Sequence, residues 1–322
     1  MAATSTTETW DAAWTLTMRA HRKRLTDNIF DQYPTLQMFR AAGNVETESG
    51  GKEIKEDLLY GKNTAGWFSD YDTLGTDAVD GITAAFYPWR YIAVPITISM
   101  TEEMESRKSD AAVKLLSAKT EQSMNTIRDT INAAIYSAQT GKSMLGLQDL
   151  VADAPSTGTV GGINRANESW WRNQNDATST NFNAASAPSY GGVLLMSSLY
   201  NNASEGNDQP SDIFTTLTLF TELQDILEGT GYQRLTSNRS PFDAGFPAFR
   251  NAVVKYDRDC SSQHMYLLNR KYLKLKMQAG MNFAKTPFKE PYNQLAKVAF
   301  IVVGLQLTTN NPRRQGVASV LT

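Results

Sequence analysis

Residues 99–141 read SMTEEMESRKSDAAVKLLSAKTEQSMNTIRDTINAAIYSAQTG. Neither proline nor glycine interrupts the chain between Pro95 and Gly141. Apolar residues recur there at helical spacing, through Met104, Ala111, Leu115, Ala118, Met124, Ile127, Ile131, Ala134, Ile135 and Ala138. The pattern predicts one long amphipathic helix. Ser99 and Glu102 stand at capping-box spacing, Glu102, Glu103 and Glu105 complement the positive end of the helix dipole, and Gly141 with Lys142 suits its end. About forty residues at 1.5 Å each make a rod roughly 60 Å long. That exceeds the width of an ordinary domain, so the helix is expected to be a spine. The same residues also allow two shorter helices broken near Ser106 to Asp110, where the apolar pattern thins. In either form the segment is scaffold and carries no chemistry.

Ahead of the spine, Glu53 to Tyr60 alternates loosely through Ile54, Leu58 and Tyr60. Tyr91 to Ile98 alternates cleanly, with Ile92, Val94, Ile96 and Ile98 on one face. Two strands are predicted, joined as a hairpin, and Pro95 assigns the second to a sheet edge or the end of its pairing. The Gly- and Asp-rich loop Gly61 to Gly81 between them carries Trp67, Phe68 and Tyr71. A two-stranded hairpin is marginal alone, so these aromatics need another surface: a neighbouring subunit, or the chain's own core. Residues 1–49 read as an N-terminal arm. Trp10, Trp14 and Met18 recur every four residues and give a helical stripe without a partner in its own segment. Arg19, Arg22, Lys23 and Arg24 form a basic cluster suited to phosphate, an acidic scaffold or another subunit, or else a solvated helix face.

Behind the spine, residues 164–189 are polar loop with Trp170 and Trp171 as one anchored point. Tyr190 to Tyr200 and Leu219 to Leu227 have helical spacing. Asp212 to Thr216, Val253 to Tyr256 and Met265 to Leu268 read as strands. The apolar run Val298 to Leu307 is a buried strand, followed by a short strand near Val317 to Val320. The fold class is therefore α+β.

The 322 residues are 41% hydrophobic, enough for a large core, and carry a formal net charge of −2, which gives no bulk attraction to nucleic acid or membrane. One cysteine excludes an internal disulfide framework. MAATSTTETWDAAW has no signal-peptide organisation, and no apolar run is long enough to cross a membrane, so cytoplasmic synthesis is expected.

Catalytic groups are scarce. Cys260 and His264 could meet as nucleophile and base or as two metal ligands, on four-residue spacing alone. Gly141, Lys142 and Ser143 imitate the end of a phosphate-binding loop, but Tyr136 stands where that loop needs glycine. Asp70, Asp72, Asp77 and Asp80 could hold calcium, at spacings unlike an EF-hand. No catalytic, cofactor or metal constellation is expected. A long spine, an orphan hairpin and an unpartnered arm point to a chain built for contacts with copies of itself.

This order of arm, hairpin, spine, mixed region and terminal strand resembles tailed-bacteriophage major capsid proteins with the Hong Kong 97 fold. Local words resemble that family too: Gly146-Leu147-Gln148-Asp149-Leu150-Val151, Gly158-Thr159-Val160-Gly161-Gly162-Ile163-Asn164-Arg165 and Trp170-Trp171-Arg172-Asn173 after the spine. Further similar words are Asp212-Ile213-Phe214-Thr215, Tyr232-Gln233-Arg234, and Tyr266 through Leu275. The resemblance implies an arm at 1–49, an extended E-loop hairpin at 50–98, the spine of a P-domain at 99–141, an A-domain at 142–295 and terminal P-domain strands at 296–322. It implies a structural protein, not an enzyme, whose pentamers and hexamers close an icosahedral head around double-stranded DNA without reading its sequence. Trp10, Trp14, Met18, Trp67, Phe68 and Tyr71 are then candidate inter-subunit contacts. Implied partners are a portal, a separate scaffold protein and a decoration protein, with assembly in the bacterial host cytoplasm. An encapsulin-like nanocompartment shell is the nearest rival. A carbohydrate-active enzyme with a site assembled from scattered Asp, Glu and Tyr residues is a more distant one.

Overall fold

The computed structural model describes residues 33–73, 79–105, 109–178, 182, 185–186, 189–229 and 248–321. Trp10, Trp14, Met18, Arg19, Arg22, Lys23, Arg24 and Asp77 lie outside the described residues. What is described is α+β, with two large sheets, three two-stranded ones, two hydrophobic cores and a long helix.

The first sheet is built on the apolar run near the C-terminus, which forms a 14-residue strand, Ala296–Thr309. Its Leu305 pairs on one edge with Arg90 and on the other with Met277, so the strand lies inside the sheet. From Ala299 to Thr309 nearly every residue is covered, which suits a strand packed on both faces. One flank is the antiparallel strand Arg90–Ser99, in register from Leu305↔Arg90 to Ala296↔Ser99. The other flank holds Leu273–Gln278 and Ala284–Lys285, and Val45–Glu48 adds in parallel beyond Leu273–Gln278. Pro95, expected at an edge, sits on the edge strand opposite Phe300.

Two sequence expectations change here. Tyr91 to Ile98 is not the return strand of the hairpin; Glu53–Leu59 pairs with Ile82–Pro88, in register from Glu53↔Pro88 to Leu59↔Ile82. The segment Ile82–Pro88 carries apolar residues on both faces (Ile82, Ala84, Phe86 and Ala85, Tyr87), so it shows no period-two contrast. Residues 34–48, expected within the arm, belong to the first core and its sheet. Pro34–Ala41 is a helix whose Leu36, Met38 and Phe39 are buried in the first core, and Val45–Glu48 is a strand of its sheet.

The spine is described in two pieces, Met100–Glu105 and Ser109–Tyr136, flanking 106–108, which lie outside the described residues. The first piece starts at the expected box: Ser99 N–H donates to Glu102 Oε2 at 3.0 Å and Glu102 N–H to Ser99 Oγ at 3.2 Å. Lys119 of the second piece donates to Glu102 and to the Thr97 carbonyl at 2.7 Å, which pins the long helix to the edge strand. Met124, Ile127, Ile131 and Ile135 form its buried stripe. The helix stops at Tyr136, not near Gly141, so 28 residues give about 42 Å. The reason lies downstream. Gly146 crosses so close that a Cβ there would stand 1.9 Å from the Ser137 carbonyl, and Asp149 Oδ2 accepts from Gln139 N–H at 2.6 Å and Gly146 N–H at 3.3 Å. The chain folds back over the helix end.

The second sheet has six strands in the order Ala248–Phe249, Ala252–Tyr256, Asp212–Thr215, Met265–Leu268, Gly316–Ala318 and Gln174–Asp176. Helices Gly191–Ala203 and Leu217–Gly229 contribute Leu195, Met196, Leu199, Leu219 and Leu223 to the second core. The sheets do not divide at residue 295. Strands Leu273–Gln278 and Ala284–Lys285 belong to the first, and the terminal strand Gly316–Ala318 to the second.

Candidate assembly surfaces

The hairpin has a fastened base and a bare tip. At the tip, Trp67 is 105% exposed, Phe68 70% and Tyr71 100%, so none of the three packs on the chain's own core. Ser69 N–H donates to Asp72 Oδ2 at 2.7 Å and Asp72 N–H to the Ser69 carbonyl at 3.0 Å, a turn that orders the backbone and leaves the three rings uncovered. Below the tip, Tyr60 and Gly61 N–H both donate to the Gly81 carbonyl. A Cβ on Gly61 would stand 2.7 Å from the Gly81 Cα, and one on Gly81 3.1 Å from the Gly61 Cα. Only two glycines allow the strands to meet this closely. The outer face continues the apolar character, with Leu59 81% and its register partner Ile82 72% exposed.

The base is gripped from two sides. The turn between Thr159–Val160 and Ile163–Asn164 docks on the return strand, where Phe86 N–H donates to the Gly161 carbonyl at 3.0 Å. Gly161 has φ +60°, and a Cβ there would stand 2.7 Å from Ala85 Cβ. Trp170 stacks on Tyr60 at 4.9 Å between ring centroids and meets Trp171 edge-on at 5.5 Å, so the expected anchor of the polar loop is the support of the hairpin. Buried Tyr87 donates from its hydroxyl to the Thr309 carbonyl at 2.8 Å. Between Tyr60, Asp80, Glu168 and Trp170 lies a cavity of about 320 Å³.

On the inner side, an ionic node joins the hairpin to the first sheet. Lys276, almost fully buried, contacts Glu46 Oε2 at 2.5 Å, Glu48 Oε1 at 2.6 Å and Glu56 Oε1, on the hairpin, at 3.4 Å. Lys274 adds a second bond to Glu46 at 2.7 Å, and Thr308 Oγ1 donates to Glu56 at 3.2 Å. Burial opposes the charge on Lys276, but its bonds to Glu46 and Glu48 prevail and raise its pKa above the ordinary 10.5. Burial works against the Glu46 carboxylate as well, and the hydrogen bonds from Lys274 and Lys276 override it and hold the carboxyl below its ordinary 4.5.

A second polar knot ties Tyr33 and Thr35 to the spine and to Asp257, which follows the strand Ala252–Tyr256. Thr35 Oγ1 donates to Asp257 Oδ2 at 2.8 Å, Asn132 Nδ2 on the spine donates to Asp257 Oδ1 at 2.9 Å, and Tyr33 donates to Asp129 at 2.5 Å. Burial and the Asp129 bond push the Tyr33 phenol up to about 12.

The candidates for chemistry do not assemble into a site. Cys260 is buried, with its thiol pushed up by burial and then by Asp257, and it faces the backbone carbonyl of His264. The His264 ring points elsewhere: Nδ1 lies 2.6 Å from the Ser262 carbonyl and Nε2 2.9 Å from Asp153 Oδ2. Gly141 and Lys142 form an exposed turn, with Thr140 N–H donating to Ser143 Oγ. Among the described residues no group of three or more His, Cys, Asp or Glu side chains could hold a metal ion, and no helix is long and apolar enough to cross a membrane.

Sequence reasoning missed one apolar patch. Tyr292 is 103% and Leu295 81% exposed, beside half-exposed Met100, whose N–H donates to the Leu295 carbonyl. These residues sit in the polar connection KEPYNQL, which carries no periodic signal, and the only cue is an aromatic and a leucine in a loop.

The sequence matches no protein-family model and no curated protein. Solved structures are similar over most of the chain. The capsid asymmetric unit of cyanophage A-1(L) has 18% identity and a TM-score of 0.69, covering 90% of this chain and 92% of that one. The capsid of a native GTA particle has 10% identity and a TM-score of 0.60, covering 88% and 91%. The holo-SrpI encapsulin complex of Synechococcus elongatus has 9% identity and a TM-score of 0.56, covering 88% and 87%. The chain therefore has the Hong Kong 97-type capsid fold.

Proposed function

We propose that this chain is the major capsid protein of a tailed double-stranded DNA bacteriophage. Copies form pentamers and hexamers that close an icosahedral head around the genome. The observation that carries this reading is the hairpin: a base held by Trp170, Gly161 and the Lys276 node, and a tip of three exposed aromatics that none of the described residues covers. An unsupported aromatic cluster on a fixed stalk is an interaction surface. Its partner in a self-assembling shell is the adjacent copy. The exposed Tyr292, Leu295 and Met100 supply a second apolar contact. Each contact is modest, and the closed shell sums many of them through multivalency. The arm, with Trp10, Trp14, Met18 and the basic residues Arg19, Arg22, Lys23 and Arg24, supplies a further reach between subunits. A portal, a scaffold and a decoration protein are the partners such a head uses, and assembly belongs to the host cytoplasm.

The test is assembly itself: express the chain alone and with its genomic neighbours, separate by size-exclusion chromatography with light scattering, and image the largest fraction by negative-stain electron microscopy. Shells, tubes or five- and six-membered rings are expected. A persistent 35.6 kDa monomer at high concentration and in crowding agents, with or without those neighbours, refutes the reading. Particles that enclose a protein cargo and no nucleic acid would make the chain a nanocompartment shell instead.

A further inference from the structure

Gln263 has φ +60° and Val320 φ +62°, a left-handed backbone that disfavours residues with side chains and β-branched ones most. Such strain persists only where the surroundings hold it. One hydrogen bond links the two positions: Leu321 N–H donates to the Gln263 carbonyl at 3.1 Å, while Ser319 N–H donates to the Asp176 carbonyl at 2.9 Å. Leu321 is buried and belongs to the second core. Gln263 in turn is fixed by the ring of the next residue. His264 Nδ1 lies 2.6 Å from the Ser262 carbonyl, so the left-handed turn at Gln263 folds the backbone back onto the imidazole, and Nε2 lies 2.9 Å from Asp153 Oδ2. Both partners are acceptors. The two bonds therefore form together only when both nitrogens carry protons, in the imidazolium. A neutral ring has one proton, and the carboxylate takes it as the stronger partner. Nδ1 then turns a lone pair on the carbonyl 2.6 Å away, and the turn at Gln263 loses its support.

We propose that His264 is a pH-sensitive clasp: as imidazolium it holds Gln263 in its strained turn, and with it Ser319 to Leu321 on the second core, and on losing a proton it lets that segment go. The neighbouring elements leave the response to this ring. Among the described residues Asp153, in the chain after Leu147–Leu150, is the one charged group bonded to it. Tyr266 stacks on the imidazole at 5.9 Å between ring centroids, and Cys260 Sγ and Thr215 Oγ1 face the His264 carbonyl. Burial raises the pKa of both Tyr266 and Cys260, so neither changes charge between about pH 5 and 8, where imidazole does. The clasp also joins the two cores, because Asp153 follows Leu150 and Val151 of the first and the held segment belongs to the second. It stands whether or not the chain builds a shell.

The test is hydrogen–deuterium exchange of the full-length chain at about pH 5.5 and about pH 8, with each rate divided by the intrinsic rate of an unstructured amide at that pH. In the wild type, protection of the Ser319 and Leu321 amides should fall roughly threefold or more from the lower pH to the higher, as one hydrogen bond is lost. His264→Gln, which cannot take up a proton, should show low protection at both values. Asp153→Ala should show high protection at both, because a neutral ring without the carboxylate returns its proton to Nδ1 and the Ser262 carbonyl. Gln263→Gly relieves the turn and should likewise keep the segment protected at both. Equal protection of the wild type at the two values overturns the clasp, as does a His264→Gln chain with the wild-type profile. A pH response of wild-type size in Asp153→Ala overturns the contest between the two acceptors, and one in Gln263→Gly overturns the part given to strain. If His264→Gln does not fold, Asp153→Ala decides, since it changes only a half-exposed side chain.

Discussion

Replacing Trp67, Phe68 and Tyr71 together by alanine separates folding from assembly. All three are at least 70% exposed, so the isolated chain loses almost no packing, and surface changes of this kind fall within about 0.5 kcal/mol. Assembly is another matter. An aromatic side chain offers roughly 200 Å², and covering half of it at about 25 cal/mol per Å² contributes about 2.5 kcal/mol. Three rings contribute about 7 kcal/mol per subunit, roughly five decades in an association constant. The variant should therefore show a wild-type circular dichroism spectrum and thermal midpoint and stay unassembled at concentrations where the wild type forms particles. Light scattering across a concentration series reads the difference. Normal particles at the wild-type threshold would refute the reasoning about the tip. A fall in the thermal midpoint of the unassembled chain would show that the aromatics pack on their own subunit.

Gly161→Ala places a side chain at φ +60° and 2.7 Å from Ala85 Cβ, so it should destabilise the chain by about 2–4 kcal/mol, measured by urea unfolding. Lys276→Met leaves Glu48 and Glu56 without their cation and Glu46 with Lys274 alone, and should cost about 3–5 kcal/mol at neutral pH. The wild-type node also has a pH signature. Glu46, held below 4.5, contributes stability that is present above that value and lost as pH falls through its folded pKa; Lys276, held above 10.5, contributes stability that is present below that value and lost as pH rises through its folded pKa. In the Met variant the alkaline limb should vanish and the acid limb, still held by Lys274, should shrink when stability is followed against pH. Cys260 should resist thiol reagents in the folded chain and react fully in denaturant, because it is buried and its thiol pKa is raised.

The long C-terminal strand was legible as a continuous apolar run, and the spine over Ser109–Tyr136 because its helical spacing meets neither proline nor glycine. The capping box at Ser99 and the edge position of Pro95 were legible because they follow from local hydrogen bonding alone. The hairpin's return strand was not, since Ile82–Pro88 is apolar on both faces and Tyr91–Ile98, which alternates cleanly, finds its partner two hundred residues away. The end of the spine was misplaced for a similar reason. Nothing near Tyr136 marks a stop, and Gly146 and Asp149 impose it from beyond the turn. At the candidate surfaces, Trp67, Phe68 and Tyr71 stood out as aromatics in a polar loop. Tyr292 and Leu295 carry the same signal more faintly, and the Glu46–Glu48–Glu56–Lys276 node is assembled from segments that only the folded chain brings together.

The paired glycines at 61 and 81 make the hairpin tip a separable part. The two backbones close on each other at that level, so whatever lies between them begins and ends at one point in space. The entropic cost of a longer insert there grows only by about 0.6 kcal/mol for each doubling of its length. Residues 62–80 can thus be exchanged, lengthened or given a foreign sequence while the two cores fold as before. The glycine clasp lets the sequence that makes contact with neighbours change without disturbing the two cores that make the subunit.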